Sequence, residues 1–298
     1  QQTLKPFGLH LETFPDSGGA RGLSTTQSRS SGQDLISLPS TCVICAETAL
    51  DRHRVLTIIA THASAVLKQP LTDEQILSLF LLLERPIEMS EFCEEGMGTP
   101  VSVIAVPKDE LEEMLPKCHF SVASAAIRYA NGLFDACELA VEGSGCLTNE
   151  AGVTSPLAEV WSRAGFLWAF AHVRSRTLEV SVEGKQLPPR SYLVADPEDA
   201  DSADEKRRVL FPTLDLINHS CDAHTRLEFR DTTTHPPITT VKRQYTYQKK
   251  LPKKSDASSW AIVSMDEYDA NEQVFLNYGE RDNLKFFTTY GFVPRRNP

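Results

Sequence analysis

The sequence lacks an apolar run long enough to cross a bilayer. Its most apolar run, residues 76–83, falls far short of the about 20 residues that a transmembrane helix needs. It also lacks the GxGxxG dinucleotide-binding motif and the Walker phosphate-binding motif. Acidic residues outnumber basic ones and give a net charge of −10, whereas a domain that grips nucleic acid is usually basic. We therefore expect no membrane association and no direct contact with nucleic acid, and an acidic surface that favours a basic protein partner.

The seven cysteines do not form the pattern of a disulfide framework or of a metal site. Their number is odd and they are scattered along a long chain, which argues against a secreted disulfide scaffold. Cys42 and Cys45 form a single CxxC pair, but no second pair of ligands follows at a suitable spacing, and no cysteine follows Cys221. We expect reduced cysteines with a structural role and no bound metal.

The composition is typical of a globular protein, with 41% hydrophobic and 23% charged residues in a chain of 298. This length allows one large domain or two smaller ones, with a sizeable core in either case. The first residue is Gln1, so the sequence leaves open a preceding targeting segment. We expect a cytoplasmic or nuclear location, with an organelle as the alternative.

Strand-like segments lie towards both ends of the chain and helix-like segments lie in the middle, which predicts an α+β fold. Helices are predicted from a capping box at residues 72–75, over residues 121–140, from Ser155-Pro156 to about Arg176, and over residues 284–289. Short strands are predicted over residues 33–38, 210–216, 261–265 and 273–277.

Three segments carry residues with useful chemistry. The first is the glycine-bearing run at residues 19–23, whose backbone can approach a ligand closely. The second, residues 215–221, places Asn218 and His219 directly after an apolar run. The third, residues 272–293, contains two Tyr-Gly pairs around a short helical stretch. Taken one at a time, the segments are more typical of structural features: the first of a surface turn, the second of a core histidine, and the third of an aromatic core with two turns.

A hydrolase that uses Ser220 or Cys221 with a histidine is one alternative for the second segment. Adjacent residues of a strand point to opposite faces, so His219 is poorly placed to serve Ser220. The sequence also lacks the G-x-S-x-G pattern of a nucleophile elbow, so this alternative has little support.

Taken together and in this order, the three segments resemble the SET-domain protein methyltransferases. The motifs are Gly-Ala-Arg-Gly-Leu near the start, Asp-Leu-Ile-Asn-His-Ser about two-thirds along, and Asn-Tyr-Gly, Asn and Tyr-Gly-Phe-Val at the end. Within that family the chain is similar to the branch typified by plant Rubisco large-subunit methyltransferase, which inserts a helical segment into the SET fold. The resemblance covers roughly residues 15–294. It implies an α+β SET-domain β-fold with a pseudoknot, in which the Asn-His segment is threaded under the C-terminal segment.

The resemblance also divides the chain. It implies an N-terminal SET part over residues 15–49, a helical insertion over residues 50–178 and a C-terminal SET part over residues 179–298. The helical substrate-binding domain that follows the SET domain in this branch is not represented in the sequence. One departure from the family pattern is Ala20, which stands where the glycine motif usually has its first glycine.

The family's residues for S-adenosyl-L-methionine (AdoMet) and substrate match positions of this chain. Tyr278 matches the catalytic tyrosine beside the methyl group, and Tyr290 matches an aromatic residue of the substrate channel. The positions that match cofactor-binding residues, with Tyr278 again among them, are Ala20, Arg21, Gly22, Leu23, Arg176, Asp215, Asn218, His219 and Phe292.

The resemblance therefore implies an AdoMet-dependent protein-lysine N-methyltransferase that acts on the lysine side chain of a histone or non-histone protein. We expect a monomer. Two alternatives stay open within the same fold. One is a protein-histidine N-methyltransferase, because related folds accept an imidazole, and the other is a catalytically inactive SET-like binding module.

Overall fold

The chain folds into two compact units, each built from two separate stretches of sequence. Residues 1–43 and 211–280 form one, called here the strand unit, and residues 44–210 and 281–298 form the other, the helical unit. The computed structural model describes residues 2–4, 7–15, 20–84, 112–113, 117–144, 161–181, 187–195, 206–231 and 258–297.

The strand unit contains small sheets whose strands come from both of its stretches of sequence. Strands β1, β2 and β3 form an antiparallel sheet in that order, β9 lies between β4 and β8 in a second one, and β7 pairs with β10 in parallel. Numbered along the whole chain, these strands are β1 (Gln2–Leu4), β2 (Leu9–Phe14), β3 (Ala20–Thr25), β4 (Gln33–Pro39), β7 (Asn218–His219), β8 (Thr225–Asp231), β9 (Ser258–Ser264) and β10 (Phe275–Leu276).

The burial pattern of the sheet of β4, β9 and β8 follows from its strand pairing. The register of β4 against β9 shifts between Asp34 and Ile36, so the chain bulges there and the consecutive residues Leu35 and Ile36 are both buried. Strand β9 is central and its residues 260–264 are all buried, as expected for a strand that is covered on both faces. The strands predicted over residues 33–38 and 261–265 are thus confirmed.

The strand predicted over residues 210–216 is wrong beyond Leu210. That residue ends a strand, but residues 214–216 form a 3-10 turn. Thr213 adopts a left-handed conformation with φ of 79°, and Pro212 before it has no N–H to give to a ladder. These two residues therefore end the extended run and turn the chain ahead of β7.

The helical unit holds the helices and one antiparallel hairpin. The hairpin consists of β5 (Thr177–Ser181) and β6 (Lys206–Leu210). The helices, again numbered along the chain, are α1 (Ala46–Arg52), α2 (Arg54–Leu67), α3 (Asp73–Leu83), α4 (Lys117–Ser144), α5 (Arg163–Arg176) and α6 (Asn283–Tyr290).

The helix termini follow local side-chain chemistry. The predicted capping box at α3 is confirmed: Thr72 Oγ1 accepts from the Gln75 N–H, and Gln75 Oε1 accepts from the Thr72 N–H. At α6, Asp282 accepts from the Lys285 N–H at 2.7 Å, and Gly291 ends the helix in the left-handed conformation with φ of 79°.

Two predicted helices differ from the observed ones in their bounds. Helix α4 extends beyond the predicted residues 121–140 at both ends. Helix α5 ends at Arg176 as predicted, but it begins at Arg163, where Ser162 Oγ accepts from the Gly165 N–H at 3.0 Å. The predicted start at Ser155-Pro156 lies outside the described residues.

One apolar core holds the helical unit together, and a buried ion pair lies beside it. The core is formed mainly by buried side chains of α1 to α5. Within it the Phe166 ring centroid lies 5.6 Å from that of Phe134 and 6.0 Å from that of Phe170. Arg207 on β6 and Glu47 on α1 are each 4% exposed, with 3.4 Å between Nη1 and Oε2. This ion pair connects the β5–β6 hairpin to α1.

None of the helices in the described part of the chain is both long enough and apolar enough to traverse a lipid bilayer.

Candidate functional site

Two segments far apart in the sequence meet at one place in the strand unit. Strand β7 lies parallel to β10, so that Asn218 pairs with Phe275 and His219 with Leu276. The Ser220 N–H continues the ladder by donating to the Leu276 carbonyl at 3.0 Å. The meeting of the Asn-His motif with the C-terminal Tyr-Gly motif, which the predicted pseudoknot requires, is therefore present.

Tyr278 is hydrogen-bonded to residues at β7 through both its backbone N–H and its side-chain hydroxyl. Its N–H donates to His219 Nδ1 at 3.1 Å, and its hydroxyl donates to the carbonyl oxygen of Ile217 at 2.7 Å. The rings of Tyr278 and His219 are tilted by 36° with their centroids 5.0 Å apart. Three contacts thus hold the position and direction of the half-buried tyrosine.

Burial favours the neutral form of the His219 imidazole. Burial lowers its pKa, and the nearby carbonyl of Leu276, 3.2 Å from Nδ1, opposes that shift less strongly. Nδ1 cannot donate to Leu276 and accept from Tyr278 at once. The short contact from the Tyr278 N–H favours an unprotonated Nδ1, which places the hydrogen on Nε2.

The second ring nitrogen of His219 faces a thiol. Cys221 Sγ lies 3.3 Å from Nε2, whereas Ser220 Oγ accepts from the Asp222 N–H. Among the described residues, Cys42, Cys45, Cys137 and Cys221 are free thiols, and no group of three or more His, Cys, Asp or Glu side chains could hold a metal ion.

A pH-dependent contribution to stability is expected from His219. Because burial penalises the imidazolium in the folded chain, the unfolded chain binds more protons below about pH 6.5. The free energy of unfolding should therefore fall as the pH drops from about 6.5 towards the lowered pKa of the folded state.

Urea unfolding at about pH 7.5 and about pH 5.5 tests this, with His219→Asn compared with the unmodified chain. The variant should lose stability less steeply on acidification. Replacement of His62, which is exposed on α2, gives the matched control. The same loss of stability in His219→Asn and in the unmodified chain would contradict the assignment.

Gly22 lies where β3 approaches both segments. The Val274 N–H donates to the Leu23 carbonyl at 2.8 Å, and Ser24 forms an isolated bridge with Gln273. A Cβ built on Gly22 would lie 2.5 Å from Nδ2 of Asn218 and 2.7 Å from Nε2 of Gln273, both shorter than real Cβ contacts allow. Position 22 therefore requires glycine for this close approach.

The two amide groups beside Gly22 have unsatisfied hydrogen-bonding capacity. Nδ2 of Asn218 and Nε2 of Gln273 are both buried, and neither has a hydrogen-bond partner. An unpartnered buried donor is costly, and native structures contain few of them. Together with Gly22 they form a cradle of backbone and carboxamide groups, called here the amide cradle, that suits a polar ligand.

The remaining predicted residues of the strand unit flank the amide cradle in sequence. Ala20 begins β3, and Arg21 is exposed on it. The side chain of Leu23 is completely buried, so its backbone is what a ligand could meet. Asp215 is half-buried in the 3-10 turn ahead of β7.

Three of the predicted site residues belong to the helical unit. Arg176 is the last residue of α5, Tyr290 is the last residue of α6, and Phe292 lies two positions after Tyr290. The Tyr290 and Phe292 rings lie 6.1 Å apart, and burial raises the pKa of the Tyr290 hydroxyl, which therefore stays protonated at neutral pH. The roles of these three residues stay predictions from the resemblance.

Gln273 was not identified from the sequence as a functional residue. Its position between Glu272 and Val274 has no distinctive spacing. Only the tertiary structure identifies Gln273, because the pairing of Ser24 with Gln273 brings the Gln273 carboxamide to Gly22.

The fold and the parallel pairing of β7 with β10 beside β3 define a class: this is the SET-domain fold. The solved structure of the SET domain of LSMT bound to lysine and AdoHcy matches 98% of this chain and 54% of that one, with a TM-score of 0.62 and 18% identity. A structure of Rubisco LSMT bound to AdoMet covers 99% of this chain and 53% of its own, with a TM-score of 0.56 and 20% identity. The predicted α+β SET fold and the resemblance to the Rubisco methyltransferase branch are confirmed.

Proteins with similar sequences are named after the SET domain. The mouse protein called SET domain-containing protein 4 is 24% identical over 292 residues, which is 96% of this chain and 54% of that protein. Its namesake from Artemia parthenogenetica is 26% identical over 287 residues, 96% of this chain and 58% of its own. The chain thus spans about half the length of the curated relatives it matches. No family model matches the sequence.

Proposed function

We propose that the protein is an AdoMet-dependent protein N-methyltransferase whose acceptor is a lysine side chain. The observation that carries this proposal is the amide cradle of Gly22, Asn218 and Gln273, lying at the strand β7 across which Tyr278 is fastened. The fold supports it, since solved structures of the same fold include one bound to lysine and AdoHcy and one bound to AdoMet.

The residues present fit the cofactor. Two buried amide nitrogens without partners, those of Asn218 and Gln273, can donate to the carboxylate of its amino-acid end. Asn218 and Gly22 would hold that end, with His219 beside them. AdoMet, when bound, supplies an electrophilic methyl group on a positively charged sulfur.

Tyr278 positions the acceptor amine. Its hydroxyl hydrogen is committed to the Ile217 carbonyl, so the phenolic oxygen meets an approaching amine as a hydrogen-bond acceptor. That geometry orients the nitrogen lone pair away from the tyrosine. Alignment of the nucleophile with the bond that breaks is the main source of rate that we invoke.

The site must also deliver the amine without its proton. Free lysine has a pKa of about 10.4, and burial beside aromatic side chains lowers it. His219 assists by staying neutral, because its pKa is lowered by burial and it adds no positive charge beside the sulfonium of the cofactor. Turnover should accordingly rise with pH as the lysine loses its proton.

We also propose a monomer located in the cytoplasm or nucleus, with a basic protein as substrate. The net charge of −10 supports attraction of a lysine-rich partner. The helical insertion over residues 50–178 and its flanking SET parts remain the proposed division of the chain.

Titration calorimetry with AdoHcy, followed by transfer of a labelled methyl group from AdoMet to a cell extract, tests the function. Binding and labelled lysine are the expected results. Labelled histidine would instead identify a histidine methyltransferase, binding without transfer would identify an inactive module, and no binding would contradict the proposal.

Replacing Asn218 with alanine is expected to weaken AdoHcy binding about tenfold. The change removes one of the two carboxamides at Gly22, and a hydrogen bond to a charged group contributes about 1.5–3 kcal/mol. Calorimetry measures the affinity. Asn131→Ala on α4, where the side chain donates to the Ile127 carbonyl, is the matched control and should bind as the unmodified chain does. Equal affinity in Asn218→Ala would remove Asn218 from the site.

A further inference from the structure

Three buried polar atoms gather on one face of β3. Gly22 and Ser24 are two positions apart on the strand, so they share a face, while Leu23 between them points into the core. Gln273 lies directly opposite Ser24 in an antiparallel bridge, and residues opposite each other also share a face. The Gln273 carboxamide therefore lies on the same side of β3 as the Gly22 Cα.

That face holds more hydrogen-bonding capacity than the protein uses. Ser24 Oγ, Gln273 Nε2 and Asn218 Nδ2 are all buried without a partner. The two amide nitrogens also approach the same point, the position of an absent Gly22 Cβ. Other described side chains also carry buried atoms without a partner, but these three share one face, and two of them meet at one glycine, where a bound polar group would complete them.

We propose that Gln273 is a cofactor-binding residue that holds the amino-acid end of AdoMet together with Asn218. The inference rests on the proposed function, because it takes AdoMet as the ligand of the amide cradle. The unpartnered atoms of Asn218 and Gln273 are amide nitrogens, which donate, so together they suit a carboxylate. The amino-acid end of the cofactor carries a carboxylate, and its adenosine part carries no negative charge.

The main-chain pairing around Gln273 makes this position rigid. The Val274 N–H is bound to the Leu23 carbonyl, and the Thr25 N–H is bound to the Glu272 carbonyl at 2.9 Å. Backbone hydrogen bonds on both sides of Gln273 thus fix where its side chain begins. A ligand group at Gly22 would meet a carboxamide that is already in place, which reduces the entropy lost on binding.

Calorimetry with two ligands tests the assignment on Gln273→Met, which keeps the length of the side chain and removes its hydrogen bonds. The ligands are AdoHcy and 5′-methylthioadenosine, which lacks the amino-acid end. We expect the affinity for AdoHcy to fall about tenfold, the effect of one lost hydrogen bond to a charged group, and the affinity for methylthioadenosine to be unchanged. Gln27→Met, at an exposed position after β3, is the matched control and should leave both affinities unchanged.

The melting temperature of the ligand-free chain separates binding from structure. Removing a donor that has no partner should not lower that temperature, whereas removing a structural hydrogen bond should. Gln273→Asn, which keeps the amide but shortens its reach, is expected to show the same ligand-dependent loss and stands in for Gln273→Met if that variant does not fold.

Each other outcome overturns the assignment. If the affinities for both ligands fell equally, or if the melting temperature fell while the affinities stayed unchanged, Gln273 would be a structural residue. Unchanged affinity for AdoHcy would remove it from the site. If the unmodified chain bound neither ligand, the proposed function itself would fail, and the role of Gln273 with it.

Discussion

Replacing Tyr278 with phenylalanine should lower the rate of methyl transfer at least about tenfold while leaving AdoHcy affinity nearly unchanged. The variant keeps the ring beside His219 and the N–H that donates to Nδ1, so the meeting of β7 with β10 survives. It loses the hydroxyl that is held by the Ile217 carbonyl, and with it the acceptor that orients the amine. Turnover from labelled AdoMet and calorimetry with AdoHcy measure the two effects separately.

Tyr192→Phe is the matched control for that experiment. Tyr192 is 84% exposed in the helical unit, and loss of its hydroxyl should change neither turnover nor affinity. If Tyr278→Phe transferred methyl groups at the unmodified rate, Tyr278 would not be the residue that positions the acceptor. If it lost AdoHcy binding instead, the hydroxyl would be holding the site together rather than assisting the reaction.

The largest expected loss of stability follows from replacing Glu47 with alanine. Arg207 and Glu47 are both 4% exposed, so the change leaves the Arg207 charge buried without this carboxylate. Breaking a buried ion pair by removing one partner typically costs about 3–5 kcal/mol. Urea unfolding should show that loss, because the pair connects α1 to the β5–β6 hairpin.

The matched control is Asp135→Ala, which removes a carboxylate from an exposed ion pair. Asp135 lies 2.6 Å from Arg163, but both side chains are well exposed, and such pairs contribute about 0–1 kcal/mol. A double replacement, Glu47→Leu with Arg207→Met, should recover much of the lost stability, since apolar residues can replace a buried pair. Equal losses for Glu47→Ala and Asp135→Ala would show that the burial of the Arg207–Glu47 pair adds nothing.

Local features of the fold were predictable because their partners lie within a few residues. The capping box of Thr72 and Gln75 is closed within one helical turn, and the short helix over residues 284–289 was expected from its own sequence. Strand β4 was predicted from the alternation of its residues, although the bulge that buries both Leu35 and Ile36 was not. A bulge depends on the partner strand, and a single strand does not reveal its register.

The candidate site was predictable to a smaller extent. The order of the three motifs indicated that Asn218, His219 and Tyr278 meet, and the structure brings them into contact. Their individual roles as cofactor or catalytic residues remain predictions. The sequence paired Cys221 with a histidine only in the hydrolase alternative, and the contact of its thiol with His219 depends on the turn that follows β7.

The amino-acid sequence alone determined the helix caps, the type of most elements and the SET-domain resemblance, since each depends on neighbouring residues or on the order of motifs. The tertiary structure decided which polar groups lack partners. Gly22, Asn218 and Gln273 come from three distant segments, and their convergence depends on the registers of β3, β7 and β10. Burial, which makes an unpartnered amide or a buried carboxylate energetically important, is a property of the packed chain rather than of any one segment.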